Sequence, residues 1–194
     1  MVESRVSAIL LAAGASRRMP GRDKLLLPYK GKSLLQRAVE LLDSMMFYEK
    51  ILVTTTARLN QIDLPPKIRA LTNSRPESGQ SESLRRGLEI ASGEWFLFLA
   101  ADQPLLTQAD LQPMFELAEK NPDRIIFPSV NGNPCSPALF PTRYREDLLS
   151  LTGDTGGRAV RNAHSDKCLS FDVKNPANFL DIDDEDDYQF LING

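Results

Sequence analysis

Histidine is almost missing from this chain. His164 is the only one in 194 residues, and cysteine occurs twice, at Cys135 and Cys168. One imidazole and two widely spaced thiols make neither a zinc-ligand pattern nor a disulfide framework. No Ser–His or Cys–His pairing is visible, which argues against nucleophilic hydrolase chemistry. His164, beside Ser165 and Asp166, reads as a surface residue, and the cysteines as free thiols of a reducing cytosol. Long apolar runs are also lacking, since nothing approaches the roughly 20 residues that span a bilayer. The run 6–13 leads into charge with no cleavage region, so neither leader nor membrane anchor is expected and the protein is read as cytoplasmic. An excess of positive charge is absent too. The formal net charge is −3, so no global field favours nucleic acid.

What remains has ordinary globular composition, with 42% hydrophobic and 25% charged residues, in a length suited to one domain over 1–194. Strand-like and helix-like patterns alternate along it. "RVSAILLA" at 5–12, "KILVTTT" at 50–56, "KIRALTN" at 67–73, "EWFLFLAA" at 94–101 and "RIIFPSV" at 124–130 read as strands, with a further strand at 168–173. Helical spacing appears at 33–46, 80–92, 107–120 and 142–151. The alternation predicts an α/β fold: a three-layer, Rossmann-like, mostly parallel sheet with helices on both faces. In such sheets ligands bind beyond the carboxyl ends of the strands. The loops after residues 12 and 101 both lie there.

The first of these loops reads "LLAAGASRRMPGRDKLLLPY". Small residues from Ala12 to Ser16 let backbone approach a ligand closely, and their N–H groups can form an anion nest. Arg17, Arg18, Arg22 and Lys24 add side-chain charge. Gly14 stands alone, so no dinucleotide fingerprint is present. "GKS" at 31–33 imitates the end of a P-loop, but Leu26 stands where its first glycine belongs, and Ser33 reads better as a helix N-cap. On charge alone, a solvated loop would explain these cations.

The second loop shifts the balance. Asp102 follows the most apolar strand directly and precedes Pro104, a placement that suits a divalent ion held by one or two carboxylates plus phosphate oxygens and water. In "FLDIDDEDDY" at 179–188, Leu180 and Ile182 alternate with Asp181 and Asp183, so Asp181 can supply a second metal ligand, while 184–187 suit a first helical turn. In "PESGQSESLRRGL" at 76–88, Gly79 permits close approach, and Gln80, Ser81 and Ser83 can read a base or ribose at a helix start. Cationic nest, paired acids and polar loop together point to a nucleoside triphosphate with Mg²⁺.

The ordered motifs "LLAAGASRRMPGRDKLLLPYKGKSLLQRAVELL", "GQSESLRRGL", "AADQPLLT", "GNPCSPALF", "LTGDTGGRAV" and "DIDDEDDY" closely resemble the MobA-like nucleotidyltransferases of molybdenum cofactor biosynthesis. "LAAG" at 11–14 resembles the cytidylyltransferase branch, where guanylyl enzymes usually carry a second glycine. The resemblance implies Leu11, Ala12, Ala13 and Gly14 at base and phosphates, with Lys24 and Arg18 on phosphates. It implies Gly79, Gln80 and Ser81 in the nucleotide pocket, and a Mg²⁺ ion, with Mn²⁺ as the alternative, on Asp102 and Asp181. Asn133, Ser136, Asp154 and Arg158 would line an acceptor pocket. Catalysis would fall to Lys24, Arg18 and Asp102, with CTP and molybdopterin as substrates and a client molybdoenzyme as transient partner. One departure is Cys135-Ser136-Pro137, where many relatives read Gly-His-Pro. GTP as donor, another phosphate acceptor such as a sugar phosphate or methylerythritol phosphate, and a cofactor-carrying chaperone stay open as alternatives.

Overall fold

The structure, a computed structural model, describes residues 1–15 and 18–193. In chain order its elements are β1 (Val6–Ala12), the hairpin strands β2 (Pro28–Tyr29) and β3 (Lys32–Ser33), α1 (Leu34–Ser44), β4 (Glu49–Thr54) and α2 (Thr56–Leu59). There follow β5 (Arg69–Thr72), α3 (Gln80–Ile90), β6 (Trp95–Ala100), α4 (Gln108–Lys120), β7 (Ile125–Val130) and β8 (Asn133–Pro134). The last are β9 (Ala138–Pro141), α5 (Arg145–Leu149), α6 (Gly157–Ala163), β10 (Cys168–Asp172) and α7 (Glu185–Asn193).

The main sheet runs β10-β7-β9-β6-β1-β4-β5, with β8 attached to β7. Strands β6, β1, β4 and β5 are mutually parallel, and β10 is parallel to β7. The expected α/β architecture is therefore present. Strand β9 was not foreseen. It runs antiparallel between β6 and β7, with Phe96 opposite Phe140 and Ile126 opposite Leu139. A four-residue strand that follows Pro137 and ends on Pro141 carries too little periodic signal to announce itself, and its pairing comes from two partners distant in sequence.

Alternation along the strands builds two cores. Ala8, Leu10 and Ala12 of β1 face one side with Leu35, Val39 and Leu42 of α1 and Leu111, Met114 and Phe115 of α4. Ile9 faces the other with Leu84 and Leu88 of α3, Leu148 of α5 and Val160 of α6. Each fully buried Leu, Ile, Val, Met or Phe side chain among them contributes about 1.5–3 kcal/mol relative to exposure. A smaller cluster of Met19, Leu27, Tyr29, Leu34, Ile182, Tyr188 and Leu191 seats the hairpin and α7 against the first loop. Ser33 caps α1 as expected, its hydroxyl accepting from the Gln36 N–H at 3.1 Å. Among the described residues no helix is long and apolar enough to cross a membrane.

Candidate active site

Strands β1 and β6 lie side by side and parallel, so the loops leaving their carboxyl ends share one edge. Leu11 O accepts from Ala101 N at 3.2 Å, which fixes the two loops to each other. The acidic segment 181–183 joins them through Ile182 N, which donates to Asp102 O at 2.9 Å. Buried Ile182 anchors the segment, and the residues on either side of it are left facing the strand end.

Lys24 sits in a one-turn helix, Lys24–Leu26, whose N-cap is Asp23. Its ammonium lies 2.7 Å from Asp102 Oδ2 and 2.9 Å from Asp183 Oδ1, so two carboxylates converge on one cation. Burial alone would lower the Lys24 pKa, but Asp102 and Asp183 together hold it above its ordinary value. Burial would likewise raise Asp183, yet its bonds to Lys24 and Arg18 keep it below the usual carboxylate range. Arg18 reaches Asp183 Oδ2 at 2.6 Å, and Arg22 reaches Glu185 at 2.7 Å. Ser16 and Arg17, part of the expected nest, lie outside the described residues.

Asp181 remains accessible to solvent but is crowded by the walls around it. Lost hydration, then the charges of Asp102 and Asp183, push its carboxyl up to about 7, against the pull of Lys24 and Gln103. Part of that rise comes from Asp102 and Asp183, so three carboxylates gather around Lys24, and a divalent ion suits such a corner. Among the described residues no cluster of three or more histidine, cysteine or carboxylate side chains is set to hold a metal. The fit is therefore to an ion that takes one or two carboxylates and draws its other ligands from phosphate and water. Asp183, noted in the sequence only for sharing a face with Asp181, is the acid that joins Asp102 on Lys24.

Gln103 was also missed. It is 2% exposed, and its amide donates at 3.3 Å to both Ser136 O and Phe179 O, while Oε1 has no partner among the described residues. It thus ties the Asp102 turn to the loop at Ser136 and to the segment that carries Asp181.

Two cavities open here. The smaller, about 230 Å³, is lined by Ala13, Gly14, Lys24, Gly79, Ser83 and Asp102 among others. A Cβ on Gly14 would meet no atom within 4 Å, so open cleft lies over that backbone. The larger, about 480 Å³, has Phe98, Phe140, Cys135, Ser136, Arg158 and Arg161 in its wall. Leu11, Gln80, Ala100 and Asp154 border both.

Three expected contacts fall elsewhere. Ala12 turns into the core and is 1% exposed, because strand alternation sends it to the α1 side. Ser81 is buried, its hydroxyl donating to Gly153 O at 2.7 Å, so it fastens the loop while Ser83 lines the cleft in its place. Asn133 is exposed on β8, outside the lining of the larger cavity. The Cys135 thiol is pushed up to about 11, by burial first and then by Asp181, so it stays protonated. His164 pairs with Asp147 at 2.8 Å and lines neither cavity.

Comparison with known proteins follows the same lines. A family profile described as the MobA-like NTP transferase domain matches residues 8–168. A probable molybdenum cofactor guanylyltransferase of Natranaerobius thermophilus is 30% identical over 66% of this chain and 62% of its own length. The molybdenum cofactor guanylyltransferase of Pseudomonas aeruginosa (strain LESB58) is 28% identical over 73% of this chain and 71% of its own. The chain thus spans less than two thirds of the first of these relatives. In structure, Rv0371c of Mycobacterium tuberculosis in complex with manganese superposes with a TM-score of 0.78 at 21% identity, covering 98% of this chain and 99% of its own.

Proposed function

Because the chain belongs to the MobA-like NTP transferase family, we propose that it joins CTP to the terminal phosphate of molybdopterin and releases pyrophosphate, in the cytoplasm. The observation that carries this reading is the convergence of Asp102 and Asp183 on the Lys24 ammonium, at 2.7 and 2.9 Å, in the wall of the cleft floored by Ala13 and Gly14. An acceptor phosphate oxygen attacks the α-phosphorus. Its new P–O bond forms as the bond to the bridging oxygen breaks, and that electron pair leaves with pyrophosphate. Lys24 and Arg18 exchange their carboxylate partners for triphosphate oxygens and offset the charge that gathers on the leaving group.

A phosphate nucleophile is ionised at neutral pH, so no general base is required. That agrees with a protonated Cys135 and with His164 standing apart from both cavities. Asp102 and Asp181 would hold a Mg²⁺ ion, or the Mn²⁺ named with the mycobacterial neighbour, supplying charge neutralisation and polarisation of phosphate oxygens. Phe98, Phe140 and Arg158 give the larger cavity apolar walls and a cation, chemistry suited to a ring system carrying an anion. Ser136 and Asp154 belong to the same wall. A client molybdoenzyme would receive the product by transient contact.

CTP is the donor proposed because Ala13, in the cleft wall, stands where the guanylyl enzymes usually carry a second glycine; one methyl is worth about 1–3 kcal/mol of discrimination. The relatives' names favour the second reading, GTP on the same site. Pyrophosphate release with CTP and GTP in parallel, with and without molybdopterin, tests both. Pterin-dependent release from CTP alone is expected. Release from GTP alone moves the chain to the guanylyl branch, and release from neither overturns nucleotidyl transfer.

A further inference from the structure

Resting on the nucleotide-transfer reading above, we propose that Arg58 is the positioning residue that sets the nucleotide loop and Lys24 relative to each other. No contact between Arg58 and substrate is needed for this.

Arg58 belongs to α2, the single helical turn after β4. Thr55 caps that turn, accepting from the Arg58 N–H at 3.3 Å. The side chain then runs back under the first loop and is 4% exposed. One edge of its guanidinium forms a fork on Asp23, with Nε 2.7 Å from Oδ2 and Nη2 2.9 Å from Oδ1. The other edge donates to two backbone carbonyls, Ala12 O at 2.6 Å and Gly14 O at 2.9 Å. A single planar cation thus grips both ends of the loop that runs from 12 to 23.

Two consequences follow from geometry. The carbonyl and the next N–H of a trans peptide point opposite ways. With the carbonyls of Ala12 and Gly14 drawn to Arg58, the N–H groups of Ala13 and Ala15 point away from the guanidinium, and both residues line the cleft. At the other end, Asp23 Oδ1 also accepts from Leu25 N at 3.1 Å and so holds the turn that presents Lys24. Arg58 therefore fixes the distance between backbone donors and the lysine ammonium, the two groups that must grip one triphosphate together. Lysine cannot replace it, because an ammonium carries charge without the fixed fork.

The test compares R58K, D23N and T54V with the wild-type chain by titration calorimetry with CTP and GTP, beside thermal melts and steady-state kinetics. Thr54 Oγ1 donates to the same Ala12 carbonyl at 3.1 Å but touches neither Gly14 nor Asp23, so T54V reports plain loss of loop packing. R58K and D23N are expected to weaken triphosphate binding at least tenfold and to raise KM for the nucleotide more than they lower kcat. T54V is expected to stay within threefold of wild type at a comparable loss of Tm. Unchanged affinity in R58K, or equal losses in R58K and T54V at equal loss of Tm, would overturn the positioning role. Failure of the wild-type chain itself to bind either nucleotide would instead overturn the function on which it rests.

Discussion

At the level of single residues, the burial of the Asp181 carboxyl, reinforced by the acids beside it, governs what the site does with pH. Burial and the neighbouring acids push the Asp181 carboxyl up to about 7 in the fold, against ~4 for an unfolded aspartate. Between those values the folded protein binds the extra proton, so this group's contribution to stability is present below pH ~4 and is lost as pH rises toward 7. Asp181→Asn removes that penalty. The ligand-free variant is expected to melt at a higher temperature than wild type at pH 8 and at a similar one at pH 4, which scanning calorimetry reads. On the proposed assignment of Asp181 as a metal ligand, the ion has to displace the same proton, so Mg²⁺ affinity measured by titration should rise with pH to about 7 and then level off. Asp102→Asn should cut pyrophosphate release by roughly 10²–10³, the usual cost of losing one preorganised charge partner. Circular dichroism should show its fold intact, since Lys24 keeps Asp183.

At the level of elements, the loops that border the two cavities are one interlocked unit. Gly79 has φ +92°, and a Cβ there would lie 2.3 Å from Gly153 O. Gly153 O in turn accepts from Ser81 N at 3.2 Å and from Ser81 Oγ at 2.7 Å. Gln80 lies over Gly156, where an added Cβ would fall 2.3 Å from its Oε1. Gly79→Ala is expected to cost about 1–3 kcal/mol in urea unfolding and to raise KM for both substrates, because the displaced loop borders both cavities. Ser81→Ala should cost about 1 kcal/mol with a smaller change in each KM. The motifs at 79–81 and 153–157 were visible in the sequence as separate polar loops. Their mutual contact was not, because nothing local to either one marks the other as its partner.

For the molecule as a whole, stability and chemistry are divided between the sheet's interior and one edge. Leu97, 0% exposed at the centre of β6, is remote from the charged corner in function though only a few residues from Asp102 in sequence. Leu97→Ala should cost about 2–5 kcal/mol of unfolding free energy while the KM of the remaining folded protein is unchanged. Coupled loss of affinity would mean that the core and the site do not act independently.

The order of strands and helices, the Ser33 cap and the cationic and acidic loops could be read along the chain, since each depends on residue spacing within a dozen positions. Asp102 was legible for the same reason: an acid directly after the most apolar strand needs no partner to be noticed. Long-range pairing settled the rest. Strand β9 exists because β6 and β7 leave a gap it fills. Asp183 meets Lys24 across 159 residues because buried Ile182 docks on the Asp102 carbonyl. Arg58 finds Asp23 because β4 lies beside β1 and delivers α2 beneath the loop. Local spacing selects which elements form, whereas the meeting of distant charges depends on how the sheet stacks them, and that information is spread over the whole core.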